Sequence, residues 1–328
     1  MAPIAVILAA GKSTRMKSKC PKALHEVCGK PMLQFVLDAC YEAGCQRVLL
    51  VVGHGKDEII AHFGRDERIQ WVEQAEQLGT GHAARVCEPQ LRQHHGDVFI
   101  LTGDAPLIRG EVLRTLLRTH REEHANASMA TAILDDPTGY GRVVRDAQGQ
   151  FVRIVEQIDA TPQEREIREV FPSYYCFKGE DLLFALSRLK NDNKKGEFYL
   201  TDTYGILRDA RRKVVAVQAV GPEDVLGVND REQLAAIDSI MQDRIQRQVR
   251  AGGVTIASPV NTYIEAGVTI GPDTTIHPFT QVCRDSSIGA DCTIGPFAIV
   301  PPESIVPEGS VVSGNVANEL PLRAGGVR

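Results

Sequence analysis

No Cys-x-x-Cys pair occurs in the 328 residues: Cys20, Cys28, Cys40, Cys45, Cys87, Cys176, Cys283 and Cys292 stand singly. That pattern frames neither a disulfide scaffold nor a zinc site, and free thiols suit a reducing compartment, so the expected location is cytoplasmic. No run approaches eighteen apolar residues, which excludes a membrane-spanning helix and leaves no membrane insertion to expect. The first apolar run, Ile4 to Leu8, has no basic segment before it and stops at a loop, as a strand does and a secretory leader does not. Clustered Lys and Arg are lacking too. With 37 basic against 42 acidic residues, the net charge is −5 and no basic patch offers itself to nucleic acid.

Two phosphate motifs are imitated but incomplete. Gly11-Lys12-Ser13 looks like the end of a P-loop, yet Val6 stands where its first glycine belongs. Gly79-Thr80-Gly81-His82-Ala83-Ala84 imitates a dinucleotide fingerprint, but the polar run Gln74 to Gln77, not a tight turn, follows its strand. What is present is Leu8-Ala9-Ala10-Gly11-Lys12-Ser13-Thr14-Arg15-Met16 directly after a buried strand, with Pro21-Lys22 beyond. A small-residue loop lets backbone N–H groups approach a phosphate, and Arg15 and Lys22 add fixed positive charge.

The length suits about two domains. Through about Asp209, short Val/Ile runs alternate with helical periodicity: strands over 4–8, 47–52 and 98–101, helices over 31–43, 56–63, 82–91 and 110–123. This order implies an α/β fold, a Rossmann-like, mostly parallel sheet with ligands beyond the carboxyl ends of its strands. Residues 129–177 read as an insertion closing over the sheet edge, with a hairpin around Asp146-Ala147-Gln148-Gly149. A helix from Arg231 to Val249 leads to Gly252-Gly253. Beyond it an aliphatic residue recurs every sixth position: Ile264, Ile270, Ile276, Val282, Ile288, Ile294, Val300, Val306, Val312. Three hexads make one coil of a left-handed parallel β-helix. The expected domains are therefore 1–229, a linker helix over 230–252, a short β-helix over 253–313 and a tail over 314–328.

Asp104 follows a strand, with small residues before it and Pro106 after it. A hard cation such as Mg²⁺ needs one or two protein oxygens besides phosphate and water, and Asn229 offers a second. Singly, Asp104 reads equally well as a turn residue, and Asn229 or Asp230 as the N-cap of the following helix. His120 and His124 stand four apart on a helix read as facing solvent, a poor metal site, and His94-His95 reads as a loop.

These motifs together resemble the bifunctional N-acetylglucosamine-1-phosphate uridyltransferase / glucosamine-1-phosphate acetyltransferase family. The resemblance runs from about Ile4 to Val312. It is carried by Leu8-Ala-Ala-Gly11-x-x-Thr-Arg15-Met, Pro21-Lys22, Gln74 through His82, Gly103-Asp104-x-Pro-Leu, Asp136 through Arg142, Val155-Glu156, Gly196 through Asp202 and Gly227-Val-Asn229. It implies a nucleotidyltransferase domain followed by a short β-helix. The implied reaction is Mg²⁺-dependent transfer of UMP from UTP to N-acetylglucosamine-1-phosphate, giving UDP-N-acetylglucosamine, a cell-envelope precursor, and pyrophosphate. Leu8, Ala9, Ala10, Gly11, Gln74, Gly79, Thr80, Thr102 and Gly103 are implied to hold the nucleotide, and Arg15 and Lys22 to act on the triphosphate. Gly141, Glu156 and Asn229 are implied at the sugar, and Asp104 with Asn229 at the metal. A homotrimer through the β-helix is implied as well.

Two departures qualify the pattern. Phe171 stands where the family usually carries an Asn bonded to the sugar, which leaves open another sugar-1-phosphate or a non-catalytic sugar-nucleotide binder. His277 is the sole histidine beyond residue 250, and the later coils that carry acetyl transfer have no counterpart, so no acetyltransferase activity is expected.

Overall fold

A computed structural model describes residues 1–314. The expected tail, apart from Gly314 itself, lies outside the described residues. By contacts the chain divides into one unit of Met1–Leu24 and Met32–Asp230, and a second of His25–Pro31 with the residues from Arg231 onward.

The strands through residue 218 are β1 (Ile4–Leu8), β2 (Glu26–Val27), β3 (Lys30–Pro31), β4 (Arg47–Val52), β5 (Ile69–Glu73), β6 (Asp97–Thr102), β7 (Ala127–Ile133), β8 (Gly141–Arg145), β9 (Phe151–Val155), β10 (Glu169–Lys178) and β11 (Val214–Gln218). The helices are α1 (Met32–Glu42), α2 (Lys56–Phe63), α3 (Thr80–Arg85), α4 (Glu88–Leu91), α5 (Gly110–Glu122), α6 (Pro162–Arg165), α7 (Gly179–Leu186), α8 (Asp202–Asp209) and α9 (Arg231–Ala251).

In the first unit the sheet runs β11-β7-β10-β6-β1-β4-β5. Strand β1 lies parallel to both β4 and β6, and β10 alone runs antiparallel to its neighbours β6 and β7. Central strands such as Ile4-Ala-Val-Ile-Leu8 are apolar at every position because helices cover both faces. One core packs α1 and α5 through Leu33, Val36, Leu113 and Leu116. The other packs α3, α7 and α8 through Ala83, Leu182 and Tyr204.

Three expectations are corrected here. The stretch 129–177 is no insertion: β7 and β10 belong to the central sheet, and only the β8–β9 hairpin stands off it, bonded to β10 at Val170 and Phe171. The helix expected over 82–91 is two short ones, α3 and α4, broken at Val86-Cys87. His120 does not face solvent. It is 1% exposed, with Nδ1 2.9 Å from Ser128 Oγ and Nε2 3.5 Å from Asp97, because α5 turns that face onto β7. In the triad-like set Ser128, His120, Asp97 the hydroxyl and the ring are sealed in the core, with Ser128 0% exposed, so the serine reaches no substrate.

In the second unit, α9 buries Ile237 and Met241 together with two polar residues, Gln242 and Gln246. They are satisfied by backbone: Gln242 donates to Ile264 O at 2.6 Å and accepts from Ile264 N–H at 3.1 Å, and Gln246 donates to Thr262 O at 2.8 Å. The hexad repeat forms a left-handed parallel β-helix with partner residues 18 apart. Ile276, Ile294 and Val312 stack in one column, Val282 and Val300 in another, Ile288 and Val306 in the third, all buried. Among the described residues no helix is long and apolar enough to cross a membrane.

Candidate active site

Strand β1 delivers the loop at residues 9–15 to the carboxyl edge of the sheet. Ala9 N–H bonds to Val51 O at 2.9 Å and Gly103 N–H to Leu8 O at 3.0 Å, so the strand ends stay tied to β4 and β6 as the chain leaves. Past that point pairing stops. The N–H groups of residues 11–15 donate to no acceptor among the described residues, and apart from its chain neighbours nothing lies within 4 Å of a Cβ built on Gly11. Free donors around open space are what an anion requires.

A cavity of about 290 Å³ opens there. Leu8, Ala9, Ala10, Gly11, Lys22, Gln74, Gly79, Thr80, Thr102, Gly103 and Asp104 all line it, brought from the ends of β1, β5 and β6, the start of α3 and a 3-10 turn at Lys22–Leu24. Gly79 adopts φ +108°, and a Cβ on it would stand 2.6 Å from Phe198 O, so only glycine fits. Gln74 is 4% exposed. Its Nε2 lies 3.3 Å from Gly79 O and 3.0 Å from His82 Nδ1.

At the Asp104 end, Val228 N–H bonds to Asp104 O at 2.9 Å and so lays Asn229 beside the carboxylate. Lys22 Nζ forms an ion pair with Asp104 and also donates to Asn229 Oδ1 at 3.3 Å. Arg15 donates to the same Oδ1 at 2.9 Å. Arg15 and Asn229 do not line the cavity, but this network joins them to it. Two hard oxygens of different residues sharing one ammonium is a donor set that fits a divalent cation together with phosphate oxygens. No cluster of three or more His, Cys, Asp or Glu that could hold a metal occurs among the described residues.

Gly141 and Glu156 lie apart from this cavity lining. A Cβ on Gly141 would meet Ile154 at 2.9 Å and stand 3.7 Å from Glu156 Oε2, so a bare backbone keeps the carboxylate's flank clear. Glu156 accepts from Thr201 Oγ1 at 3.2 Å, and burial pushes its carboxyl above the usual range. Asp202 is pushed up to about 6 by desolvation and by the charges of Glu156, Asp192 and Asp159. Phe171 is in the core: 3% exposed, edge-on to Tyr175 at 4.7 Å and to Tyr204 at 5.8 Å. Ser173, at φ +67°, occupies the irregularity that separates Val170 from Tyr174 in β10.

Sequence reasoning missed His54, Gln77 and Glu197 as cavity-lining residues. Gln77 and Glu197 lay inside quoted motifs without being singled out, and no local pattern marks His54.

Residues 5–199 match the family described as the MobA-like NTP transferase domain, and residues 267–302 match the bacterial transferase hexapeptide family of six repeats. The chain belongs to the MobA-like NTP transferases and is a nucleotidyltransferase. Within that class it is similar to the bifunctional protein GlmU of Brevibacillus brevis, 49% identical over 273 residues, which are 83% of this chain and 59% of that protein. GlmU of Geobacter metallireducens is 44% identical over 83% of this chain and 57% of its own length. The chain thus spans under two thirds of these relatives. A solved UDP-glucose pyrophosphorylase, complexed with UDP-glucose, has the same fold: TM-score 0.61, 18% identity, over 74% of this chain and 100% of that one.

Proposed function

We propose that the protein transfers UMP from UTP to N-acetylglucosamine-1-phosphate with release of pyrophosphate. The observation that carries this reading is the network in which Lys22 and Arg15 share Asn229 Oδ1 while Lys22 pairs with Asp104, at the end of a cavity lined by Gly11 and Gln74. Attack of a sugar-1-phosphate oxygen in line on the α-phosphorus needs no covalent protein intermediate, only alignment and cancellation of crowded negative charge. The open N–H groups of the Gly11 loop hold the phosphates, and Lys22 and Arg15 neutralise the charge that builds as pyrophosphate departs. Asp104 and Asn229 would hold Mg²⁺, which would supply further neutralisation of the phosphate charge. Glu156, with its flank open beside Gly141, accepts hydrogen bonds from sugar hydroxyls.

Pyrophosphate release from UTP and Mg²⁺, scored over a panel of sugar-1-phosphates, tests the reading. Release that is greatest with N-acetylglucosamine-1-phosphate is expected, and no release with any sugar overturns it. Acetyl transfer is not part of the proposed activity, so acetyl-CoA with glucosamine-1-phosphate is expected to liberate no free thiol.

Self-association through the second unit is also proposed. Phe279 and Phe297 are 56% and 66% exposed and stack at 5.2 Å, an apolar surface suited to another copy. Light scattering is expected to give three times the 35.9 kDa chain mass.

A further inference from the structure

The amide of Gln74 has its orientation fixed from inside the protein. Gly79 O can only accept, so the Gln74 atom 3.3 Å from it is the nitrogen, not the oxygen. The second proton of that nitrogen points to His82 Nδ1 at 3.0 Å, which must then be the bare nitrogen of a neutral ring protonated at Nε2. Both amide protons are thereby used. Oε1 receives no hydrogen bond from any described residue, and Gln74 lines the cavity, so the oxygen is what the side chain offers a ligand.

We propose that His82 is a positioning residue that locks Gln74 with its oxygen toward the base, so that the site selects a pyrimidine bearing a proton on ring N3. The inference rests on the proposed nucleotidyl transfer and deepens it. Uracil and thymine both carry an N3–H that Oε1 accepts. Cytosine carries a lone pair there, which would face the oxygen's own lone pairs and leave two buried acceptors unmatched. Without the lock the amide can turn and present its NH₂ to cytosine. Gly79 O alone, at 3.3 Å, holds it weakly.

The experiment compares kcat/KM for UTP, CTP and dTTP in wild type, His82→Leu and His82→Asn, reading pyrophosphate release with N-acetylglucosamine-1-phosphate. His82→Leu is expected to lower the UTP/CTP ratio about tenfold, the loss of one oriented hydrogen bond. The change should appear mainly in KM, while the UTP/dTTP ratio stays constant because both bases present N3–H. His82→Asn, whose Oδ1 replaces the Nδ1 acceptor, should restore most of the UTP/CTP ratio. A general packing defect would lower all three substrates together and leave the UTP/CTP ratio unchanged, which overturns the proposal. Failure of His82→Asn to restore the ratio overturns it too. A wild type inactive with every nucleotide refutes the proposed reaction instead, so the two failures are distinguishable.

Discussion

Asn229 Oδ1 accepts a hydrogen bond from the Arg15 guanidinium at 2.9 Å although the two residues are 214 positions apart. The same oxygen takes one from Lys22, which pairs with Asp104, so the four residues act as one electrostatic unit. Perturbing any member should disturb the others more than its own contact suggests.

Asp104→Ala is expected to lower kcat/KM by at least about a hundredfold, since it deletes the sole carboxylate of the group. Asn229→Ala removes a neutral oxygen and is expected to cost about tenfold. Pyrophosphate release titrated against Mg²⁺ checks both, the half-saturating Mg²⁺ concentration rising in each variant. Undiminished turnover in Asp104→Ala would refute its assignment.

Gly79→Ala adds a methyl that meets Phe198 O at 2.6 Å in a backbone held at φ +108°. The loop must move, and Gly79 O moves away from Gln74 with it. KM for UTP is expected to rise about tenfold or more, with a lower thermal midpoint. Steady-state kinetics and a melting curve read the two effects separately.

Asp202 binds its proton more tightly in the folded chain than an ordinary Asp does, with a pKa near 6. As pH rises from the ordinary Asp range through 6, ionisation therefore opposes folding, and the cost is complete above that value. Asp202→Asn should melt higher than wild type at pH 7.5, with the difference shrinking as the pH falls to 4. Much of the residue's surface is open to solvent, which caps the gain at about 1 kcal/mol or less. A difference independent of pH would refute the cause given.

Phe171→Asn, which restores the residue type expected at the sugar, is expected to destabilise the protein by about 3 kcal/mol, because it buries an amide among Tyr175 and Tyr204. Urea unfolding measures it. Unchanged stability would show that the side chain at 171 is free to leave the core.

Local chemistry made the loop at Gly11, the hexad columns and most cavity residues legible in the sequence, because phosphate loops and six-residue coils write their requirements into consecutive positions. Of the nine expected apolar positions, those at 264, 276, 282, 288, 294, 300, 306 and 312 are buried and Ile270 is partly buried. His120 was misread because the flanking Arg121, Glu122 and Glu123 say nothing of what β7 places against one side of α5. Gln242 and Gln246 escaped the apolar pattern because their partners are backbone groups near residues 262–264.

The sequence by itself determined the alternation of strands and helices in the first part of the chain, the β-helix and the residue types able to bind polyphosphate. Tertiary structure alone decided that Asn229 lies beside Asp104, that Phe171 packs inward and that His82 orients Gln74. These are long-range or side-chain hydrogen-bonding facts: they depend on which backbone carbonyl or ring nitrogen a fold brings within 3 Å, and no periodicity along the chain encodes that.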